Sequence, residues 1–198
     1  MARTLVIATR NRKKIEEMAA ILAPLGANLV SLDAFADVPP VPETGETLEA
    51  NARAKALAYA AATGQWALAD DSGLEVDALG GRPGVLSSRW GGQEGNDRLN
   101  NQTLLGALAG HPKPTWTARF HCVVALATPD RVLAVTEGTC DGRITDQPAG
   151  SNGFGYDPHF YLPDLGRTMA QLPPEMKNRL SHRARALAAM KEHLKKIL

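Results

Sequence analysis

The chain has 198 residues, of which 44% are apolar and 22% are charged. This length and this balance predict one compact domain over residues 1–198, with room for two lobes, and exclude an intrinsically disordered chain. The formal net charge is only +1, so the basic excess typical of nucleic-acid-binding proteins is missing and we expect no nucleic-acid partner. No secretory signal or apolar run of bilayer length is visible, which predicts a cytoplasmic protein without membrane contact.

The N-terminal third of the chain alternates between strand and helix patterns. Residues 4–8 form a short apolar run that predicts a buried strand, and residues 28–32 predict a second one. Between them, apolar side chains recur at helical spacing until Gly26, which favours the end of a helix. Residues 37–45 contain three prolines and a glycine and predict a loop, whereas residues 47–63 are rich in Ala, Leu and Glu and predict a second helix.

The remainder of the chain continues this alternation. Residues 66–69 predict a short strand that runs into an acidic segment, and residues 118–127 and 132–140 predict two strands joined by a hairpin turn. Helices are predicted over residues 96–108 and after Ser181, which can cap the last one. The other predicted segments are two glycine-rich loops and a short strand, at residues 80–95, 150–157 and 160–162. Such an order of elements is typical of an α/β fold.

A basic, polar loop follows the first predicted strand. It consists of six consecutive residues, Thr9, Arg10, Asn11, Arg12, Lys13 and Lys14. Backbone N–H groups at a helix N-terminus lack helical partners and carry partial positive charge, so they suit a phosphate group, and the lysines add full charge. The alternative is a polar connection with a solvated basic end, because the segment matches neither the Walker A pattern nor the dinucleotide-binding glycine pattern.

Polar residues also surround the start of the second predicted helix. Glu43 lies in the loop before it, and Asn51 and Lys55 are four residues apart, so they share one helix face. Carboxylates at a helix start are often simple capping groups, which is the alternative for Glu43.

Two adjacent carboxylates, Asp70 and Asp71, end the apolar run at residues 66–69. They repel each other, and Asp is disfavoured in strands. A bound Mg²⁺ would relieve the repulsion, since this ion prefers one or two carboxylates together with phosphate oxygens. A carboxylate here could also orient or deprotonate a water molecule. The alternative is an Asp-Ser-Gly turn, including Ser72, with solvated acids.

Two further segments carry groups that suit a nucleotide base. Glycines within residues 150–158 allow a close approach of the backbone to a ligand, and Phe154 or Tyr156 could stack on a base. The alternative is a tight turn whose aromatic side chains fold into the core. His182 and Arg183 supply hydrogen-bond donors that could face a carbonyl oxygen of a base, or they form a charged surface at a capped helix start.

Together these segments resemble the inosine/xanthosine triphosphate pyrophosphatase family, which acts on deaminated purine nucleotides. The resemblance covers nearly the whole chain, and its most specific pieces are residues 69–74, 153–158 and 181–183. It implies an elongated, two-lobed α/β fold with a long mixed central sheet and a nucleotide-binding groove between the lobes. It also implies a Mg²⁺-dependent homodimer that hydrolyses ITP, dITP and XTP to the nucleoside monophosphate and pyrophosphate.

The resemblance implies roles for individual residues as well. Asp71 would activate water and, with Glu43, would hold Mg²⁺. Asp70 would assist Asp71, and Lys55 would contact phosphate as part of the catalytic set. The residues implied in substrate binding are Thr9, Arg10, Asn11, Arg12, Lys13, Lys14, Asn51, Ser72, Phe154, Gly155, Tyr156, Asp157, Lys177, His182 and Arg183.

One position departs from the pattern of the family. Arg10 stands where members usually carry glycine. If that position requires a positive φ, Arg10 is strained. Otherwise the loop has a slightly different path, or Arg10 adds a phosphate contact.

Three other classes of function are weighed against this one. A nucleotide sensor would keep the phosphate and base segments but has no need for the acids. A pyrophosphatase of the septum-inhibitor group, which acts on modified pyrimidines, does not share the pattern at residues 154–158 and 181–183. A structural protein would leave the grouped acids and glycines without a cause.

Overall fold

A computed structural model of the protein describes residues 4–197. Its α-helices are α1 (Arg12–Leu22), α2 (Leu48–Thr63), α3 (Asp97–Leu108), α4 (Pro174–Leu180) and α5 (His182–Ile197). Its strands are β1 (Thr4–Ile7), β2 (Asn28–Ser31), β3 (Trp66–Val76), β4 (Pro83–Gly84), β5 (Thr117–Ala127), β6 (Val132–Ile144), β7 (Phe160–Leu162) and β8 (Arg167–Thr168). Within this part of the chain, no helix combines the length and the apolar character needed to cross a membrane.

The strands form one mixed sheet. Its order is β2, β1, β3, β5, β6, β7 and β8, and β4 pairs with β3. β1 is parallel to both β2 and β3, whereas β7 is antiparallel to both β6 and β8. Parallel neighbours need a crossover connection, and α1 and α2 lie in the two connections that link β1 to β2 and β2 to β3. The predicted α/β fold with a mixed sheet is therefore confirmed.

The chain divides into two compact units. The first unit contains the chain up to Asp71, the segment Cys122–Gly138 and the segment that begins at His182. In this unit α1 packs against α5, because the apolar residues of α5 recur on one helix face. The core side chains of the first unit include Leu5, Ile7, Met18, Leu22, Leu68, Val124, Leu187, Met190 and Leu194.

The second unit contains Ser72–His121 and Thr139–Ser181. Its core is more aromatic than that of the first unit, and the rings of Phe120 and Phe160 have centroids 4.4 Å apart at a tilt of 39°. Other side chains of this core are Leu74, Val76, Leu104, Leu108, Trp116, Tyr156 and Leu162. Each unit therefore buries an apolar core of its own, as expected for compact folding units.

Most predicted elements are present close to their predicted ends. Thr47 caps α2 through a hydrogen bond from Ala50 N, and Gly64 ends that helix with a φ of 66°. The turn at residues 128–131 is closed by the backbone bond from Thr128 N to Arg131 O. Three elements, β4, β8 and α4, were not predicted from the sequence, because they are very short or begin at a proline. Ile197, the last residue of α5, is exposed and does not extend the buried apolar face formed by Leu187, Met190 and Leu194.

The strand prediction at residues 66–69 is too short. β3 continues without interruption to Val76 and includes both Asp70 and Asp71, which are 1% and 6% exposed. The alternative of an Asp-Ser-Gly turn with solvated acids is therefore wrong. Strand propensity is a weak preference that tertiary contacts override, and here cationic side chains compensate the buried carboxylates.

Gly138 lies in β6 where the strand approaches the backbone of α5. A Cβ atom at this position would overlap the backbone nitrogen of Ala186 and the carbonyl oxygen of His182. Since neither backbone atom can rotate away, we expect Gly138→Ala to lower the free energy of unfolding by about 1–3 kcal/mol. Urea denaturation followed by circular dichroism measures this change.

Gly106→Ala is the matched control, because nothing lies within 4 Å of the Cβ position of Gly106 in α3. Replacing a helical glycine by alanine favours the helix, so this variant should be as stable as the wild type or more stable by up to about 1 kcal/mol. Equal stability of the two variants would show that the close approach of β6 to α5 is not tight.

Candidate active site

The basic loop at residues 9–14 caps α1. Asn11 is the N-cap residue, and its Oδ1 accepts hydrogen bonds from the backbone N–H groups of Lys13 and Lys14 at 3.1 and 3.2 Å. Asn11 N in turn donates to Thr9 Oγ1 at 3.2 Å. The side chains from Arg10 to Lys13 are exposed. The helix end therefore presents cationic side chains, while Asn11 already satisfies two of the N–H groups expected to face phosphate.

Arg10 is not strained. Among residues 4–197, Asp37 is the one non-glycine residue with a positive φ, so the glycine-like conformation considered for Arg10 is not adopted. Its guanidinium instead donates to the carbonyl oxygen of Val38 at 2.5 Å and lies 4.0 Å from the carboxylate of Asp33. Arg10 thus links the basic loop to the segment before α2.

Asp71 lies at the centre of a buried polar cluster in the first unit. Asn51 Nδ2 donates to Asp71 Oδ2 at 3.0 Å, and Lys55 Nζ lies 3.6 Å from Asp71 Oδ1. Lys55 Nζ also donates to Glu43 Oε1 at 2.5 Å. The predicted shared face of Asn51 and Lys55 on α2 is confirmed, because both side chains are buried and both approach Asp71. Asn51 Oδ1 also accepts from Gly45 N at 2.7 Å, which anchors the loop that carries Glu43.

The electrostatic environment shifts the titration of this cluster. Burial raises the pKa of Asp71, and the nearby charge of Glu43 raises it further against the opposing effect of Lys55. Burial acts to lower the pKa of Lys55, but the carboxylates of Asp71, Asp70 and Glu43 outweigh it, so the pKa of Lys55 is raised. Asp71 is thus a carboxylate of increased basicity beside a lysine that stays charged. These are properties of a general base.

Asp70 belongs to a different charge cluster. Its Oδ2 lies 3.0 Å from Lys14 Nζ and accepts from Nε and Nη2 of Arg183 at 3.2 and 3.1 Å. Nη1 of Arg183 donates to Glu17 Oε2 at 2.6 Å. Burial alone would raise the pKa of Asp70, but the charges of Lys14, Arg183 and Lys55 hold it well below its ordinary range. The sequence analysis did not predict a role for Glu17. The one feature of the sequence that could have indicated it is its spacing of three residues from Lys14, which places both on the same face of α1.

His182 and Arg183 begin α5 and are 5% and 1% exposed. The alternative of a charged surface at this helix start is therefore wrong. The charges of Asp70 and Glu17 hold the pKa of Arg183 above its ordinary value, although burial opposes them. The guanidinium of Arg183 consequently joins the first and last helices of the first unit to β3. A base oxygen would have to share this guanidinium with two carboxylates.

Glu43 and Asp71 are the residues that could hold a divalent cation. Both carboxylates contact the same ammonium group, that of Lys55, so one cation can be reached by both. Within residues 4–197, no group of three or more His, Cys, Asp or Glu side chains has the arrangement of a metal site. Two carboxylates with phosphate oxygens or water in the remaining positions nevertheless fit Mg²⁺, which rarely takes an all-protein ligand set.

The glycine-rich loop that contains Phe154 lies in the second unit. Asp157 Oδ2 accepts from Phe154 N at 2.9 Å and from Lys177 Nζ at 2.6 Å. Lys177 Nζ also lies 4.7 Å from the centre of the Phe154 ring, within the range of a cation–π interaction. Gly153 has a φ of 73°, and a side chain there would overlap the carboxylate of Asp157. Asp157 thus organises the loop, and Lys177 lies beside its aromatic ring.

The two aromatic residues of this loop have different surroundings. Tyr156 is 4% exposed, belongs to the core of the second unit and donates its hydroxyl to Ser87 O at 2.8 Å. Burial raises the pKa of Tyr156 above its ordinary value. The core alternative is therefore correct for Tyr156. Phe154 is only partly buried, and Lys177 Nζ lies over its ring.

The structure distributes the predicted site residues over both units. Ser72, Phe154, Gly155, Tyr156, Asp157 and Lys177 belong to the second unit. The other predicted residues belong to the first, namely Thr9, Arg10, Asn11, Arg12, Lys13, Lys14, Glu43, Asn51, Lys55, Asp70, Asp71, His182 and Arg183. Their roles in binding and catalysis stay predictions.

Comparison with known proteins identifies the family. The model of the Ham1 family matches residues 5–193. The chain is 52% identical over 194 residues to a dITP/XTP pyrophosphatase of Geobacillus kaustophilus, with 98% of this chain and 95% of that protein covered. It is 50% identical over 190 residues to a dITP/XTP pyrophosphatase of Geobacter sulfurreducens, with 96% of each covered.

Solved structures agree with these sequence relatives. A HAM1 protein from Coxiella burnetii matches with a TM-score of 0.89 at 41% identity, covering 98% of this chain and 99% of that one. The Ham1 protein of Staphylococcus aureus matches with a TM-score of 0.86 at 39% identity and the same coverage. This chain belongs to the Ham1 family.

The ion-paired position of Arg183 yields a test of its structural role. Replacing it by methionine would leave the carboxylates of Asp70 and Glu17 buried without this cation, so we expect Arg183→Met to lower the free energy of unfolding by about 3–5 kcal/mol. Chemical denaturation at neutral pH measures the loss. Arg185→Met on the same helix is the control, because Arg185 is exposed and should cost no more than about 0.5 kcal/mol. Similar stability of both variants would contradict the buried network.

Proposed function

We propose that this chain hydrolyses ITP, dITP and XTP between the α- and β-phosphates, releasing the nucleoside monophosphate and pyrophosphate. Two relatives that are about half identical to this chain are dITP/XTP pyrophosphatases, which supports this reaction class. The observation that carries the proposal is the environment of Asp71, a buried carboxylate held by Asn51 and flanked by Lys55 and Glu43. Removal of deaminated purine nucleotides from the nucleotide pool is the role that follows from this substrate range.

The triphosphate is assigned to cationic groups of the first unit. Lys13 and Lys14 lie in the first turn of α1, and Thr9, Arg10, Asn11 and Arg12 precede or begin it. A triphosphate is a dense negative charge, so its binding and its reaction both depend on neutralisation by such groups. Lys55 is assigned to phosphate as well, with Asn51 supporting this surface and Ser72 contacting the substrate.

Asp71 is assigned the role of general base. Its increased pKa suits the removal of a proton from an attacking water, and the hydrogen bond from Asn51 fixes the orientation of the carboxylate. Asp70 is assigned a supporting role, since its ion pairs with Lys14 and Arg183 hold β3 at the position where Asp71 follows. Glu43 and Asp71 would hold Mg²⁺, which when bound neutralises charge on the phosphates and stabilises the leaving pyrophosphate.

The base is assigned to Phe154 with Gly155, Tyr156 and Asp157, and to the donors of Lys177, His182 and Arg183. Hypoxanthine and xanthine present a carbonyl oxygen at C6, where adenine presents an amino group. Donors aimed at this oxygen lose their partner when adenine is bound, and an unpaired buried donor costs about 1–3 kcal/mol. The discrimination against ATP is then roughly tenfold to a hundredfold.

The assembly and the location are also part of the proposal. We propose that the protein is a cytoplasmic homodimer. It binds the small nucleotide substrate and does not bind a nucleic acid. The net charge of +1 supports the absence of a nucleic-acid partner. Gel filtration with light scattering measures the assembly.

The role of Asp71 is tested by Asp71→Asn. This variant keeps the shape and one acceptor for Asn51 but cannot take up the proton, so turnover of ITP should fall by about a hundredfold or more. Circular dichroism and the denaturation midpoint report whether the fold is intact. Asp164→Asn is the control, because Asp164 is exposed and should keep full turnover. An Asp71→Asn variant with more than about a tenth of wild-type turnover would remove Asp71 from the base role.

The reaction itself is tested with a panel of ITP, XTP, dITP, ATP and GTP, each with and without Mg²⁺. The expected result is IMP and pyrophosphate from ITP, formed only with the metal and much faster than the corresponding products of ATP or GTP. Formation of IDP and phosphate would place the cut at the wrong bond. Tight binding of ITP without turnover would favour a nucleotide sensor instead.

A further inference from the structure

Two side chains of helix α3 form hydrogen bonds with the backbone of Gly155, which lies between Phe154 and Tyr156. The N–H of Gly155 donates to Asp97 Oδ2 at 2.7 Å. The carbonyl oxygen of Gly155 accepts from Asn101 Nδ2 at 2.9 Å. Asp97 and Asn101 are one helical turn apart, so both side chains project from the same face of α3. Both backbone groups of one glycine are thus held by a single turn of one helix.

Asn101 is the buried member of this pair, with 9% of its surface exposed. Its amide nitrogen donates both to Gly155 O and to the backbone oxygen of Asp97 at 2.8 Å. These two acceptors determine the orientation of the amide, because a rotated amide would point its oxygen at two carbonyl oxygens. Within residues 4–197 the Oδ1 atom of Asn101 has no hydrogen-bond partner. Loss of this amide therefore removes two donated hydrogen bonds and no accepted one.

Asp97 is exposed, and it is the first residue of α3 after the N-cap Asn96. A carboxylate in the first turn is stabilised by the partial positive charge of the helix end. Its hydrogen bond from Gly155 N involves an ionised acceptor and is therefore stronger than a bond between neutral groups. Because this contact lies at the surface, its removal should leave the core of the second unit intact.

These two hydrogen bonds fix the backbone directly after Phe154 and thereby determine the position of its aromatic ring. The N–H of Gly155 belongs to the peptide group that follows Phe154, and its carbonyl belongs to the peptide group that precedes Tyr156. Gly155 has a φ of 63°, and nothing lies within 4 Å of its Cβ position. The left-handed backbone is therefore the reason for glycine here. The residues on either side of Gly155 are also held by hydrogen bonds. The N–H of Phe154 donates to the carboxylate of Asp157, and the hydroxyl of Tyr156 donates to the carbonyl oxygen of Ser87.

We propose that Asp97 and Asn101 are positioning residues that hold the loop at residues 154–157 in the conformation that binds the purine base. This inference rests on the proposed function. Neither residue has a group that needs to reach the reacting phosphates. The consequence is selective, since loosening the loop should weaken the binding of nucleotides while leaving the binding of a phosphate chain without a base unchanged.

Asn100 supplies a matched control on the same helix. Its Oδ1 accepts from Gly91 N at 2.8 Å, and its Nδ2 donates to Ser88 O at 3.0 Å. It is 2% exposed, so it is a buried amide that anchors a different loop. Asn100→Leu and Asn101→Leu therefore each remove a buried amide and its two hydrogen bonds to backbone groups, from neighbouring positions. Only the second change affects Gly155.

The experiment compares the KM for ITP with the inhibition constant of Mg²⁺-tripolyphosphate, which has no base. For Asn101→Leu we expect the KM to rise roughly fivefold to fiftyfold, as the loss of two hydrogen bonds predicts. The inhibition constant of tripolyphosphate should stay within about twofold of the wild type. Asn100→Leu should change neither constant by more than about twofold. Equal weakening of ITP and tripolyphosphate by Asn101→Leu would overturn the proposal.

Asp97 provides a second, independent arm should Asn101→Leu fail to fold. Asp97→Ala should raise the KM for ITP about threefold to tenfold, and Asp97→Asn, which keeps an acceptor for Gly155 N, should restore most of the affinity. Absence of rescue, or an unchanged KM in Asp97→Ala, contradicts the positioning role. A wild-type protein that does not hydrolyse ITP contradicts the proposed function instead, so the two failures are distinguishable.

Discussion

The structure of the first unit depends on the burial of two adjacent carboxylates in one strand. Asp70 and Asp71 occupy consecutive positions of β3, so their side chains leave the strand on opposite faces. Asp70 meets Lys14 and Arg183, whereas Asp71 meets Lys55 and Asn51. Burying an ionised carboxylate without such partners costs several kcal/mol. The strand can therefore contain both acids only because α1, α2 and α5 each bring a compensating group to it.

This distribution gives the two acids different chemistry. Three cationic side chains hold the pKa of Asp70 well below its ordinary range, so it remains an anion that fixes the neighbouring helices. Burial and the charge of Glu43 raise the pKa of Asp71, although the charge of Lys55 opposes them. Two carboxylates whose pKa values move in opposite directions have different capacities for accepting a proton. The structural acid and the candidate base are thus adjacent along the chain but lie on opposite faces of the sheet.

The second unit supports its glycine-rich loop by hydrogen bonds to backbone groups. In the loop at residues 154–157, the carboxylate of Asp157 accepts hydrogen bonds from the N–H of Phe154 and from the ammonium group of Lys177. The backbone N–H and carbonyl groups of Gly155 are held by Asp97 and Asn101, about 55 residues earlier in the chain. Loops on rigid supports are common binding elements, because a loop that is already fixed loses less conformational entropy when a ligand binds. Phe154 consequently belongs to a loop whose backbone is fixed on both sides of its ring by hydrogen bonds.

The sequence by itself determined the main helices and strands, since apolar spacing, caps and glycine stops are local signals that survive in α2, α5 and β1. It also determined the family, because the acidic, glycine–aromatic and Ser-His-Arg segments are specific in combination. Tertiary structure decided the continuation of β3 through its acids, the core position of Tyr156 and the engagement of Arg183 with Glu17. It likewise revealed Asp97 and Asn101 as partners of Gly155. Each of these outcomes depends on charges or donors that are distant in the chain, and local propensity has no information about which partners folding brings within hydrogen-bonding distance.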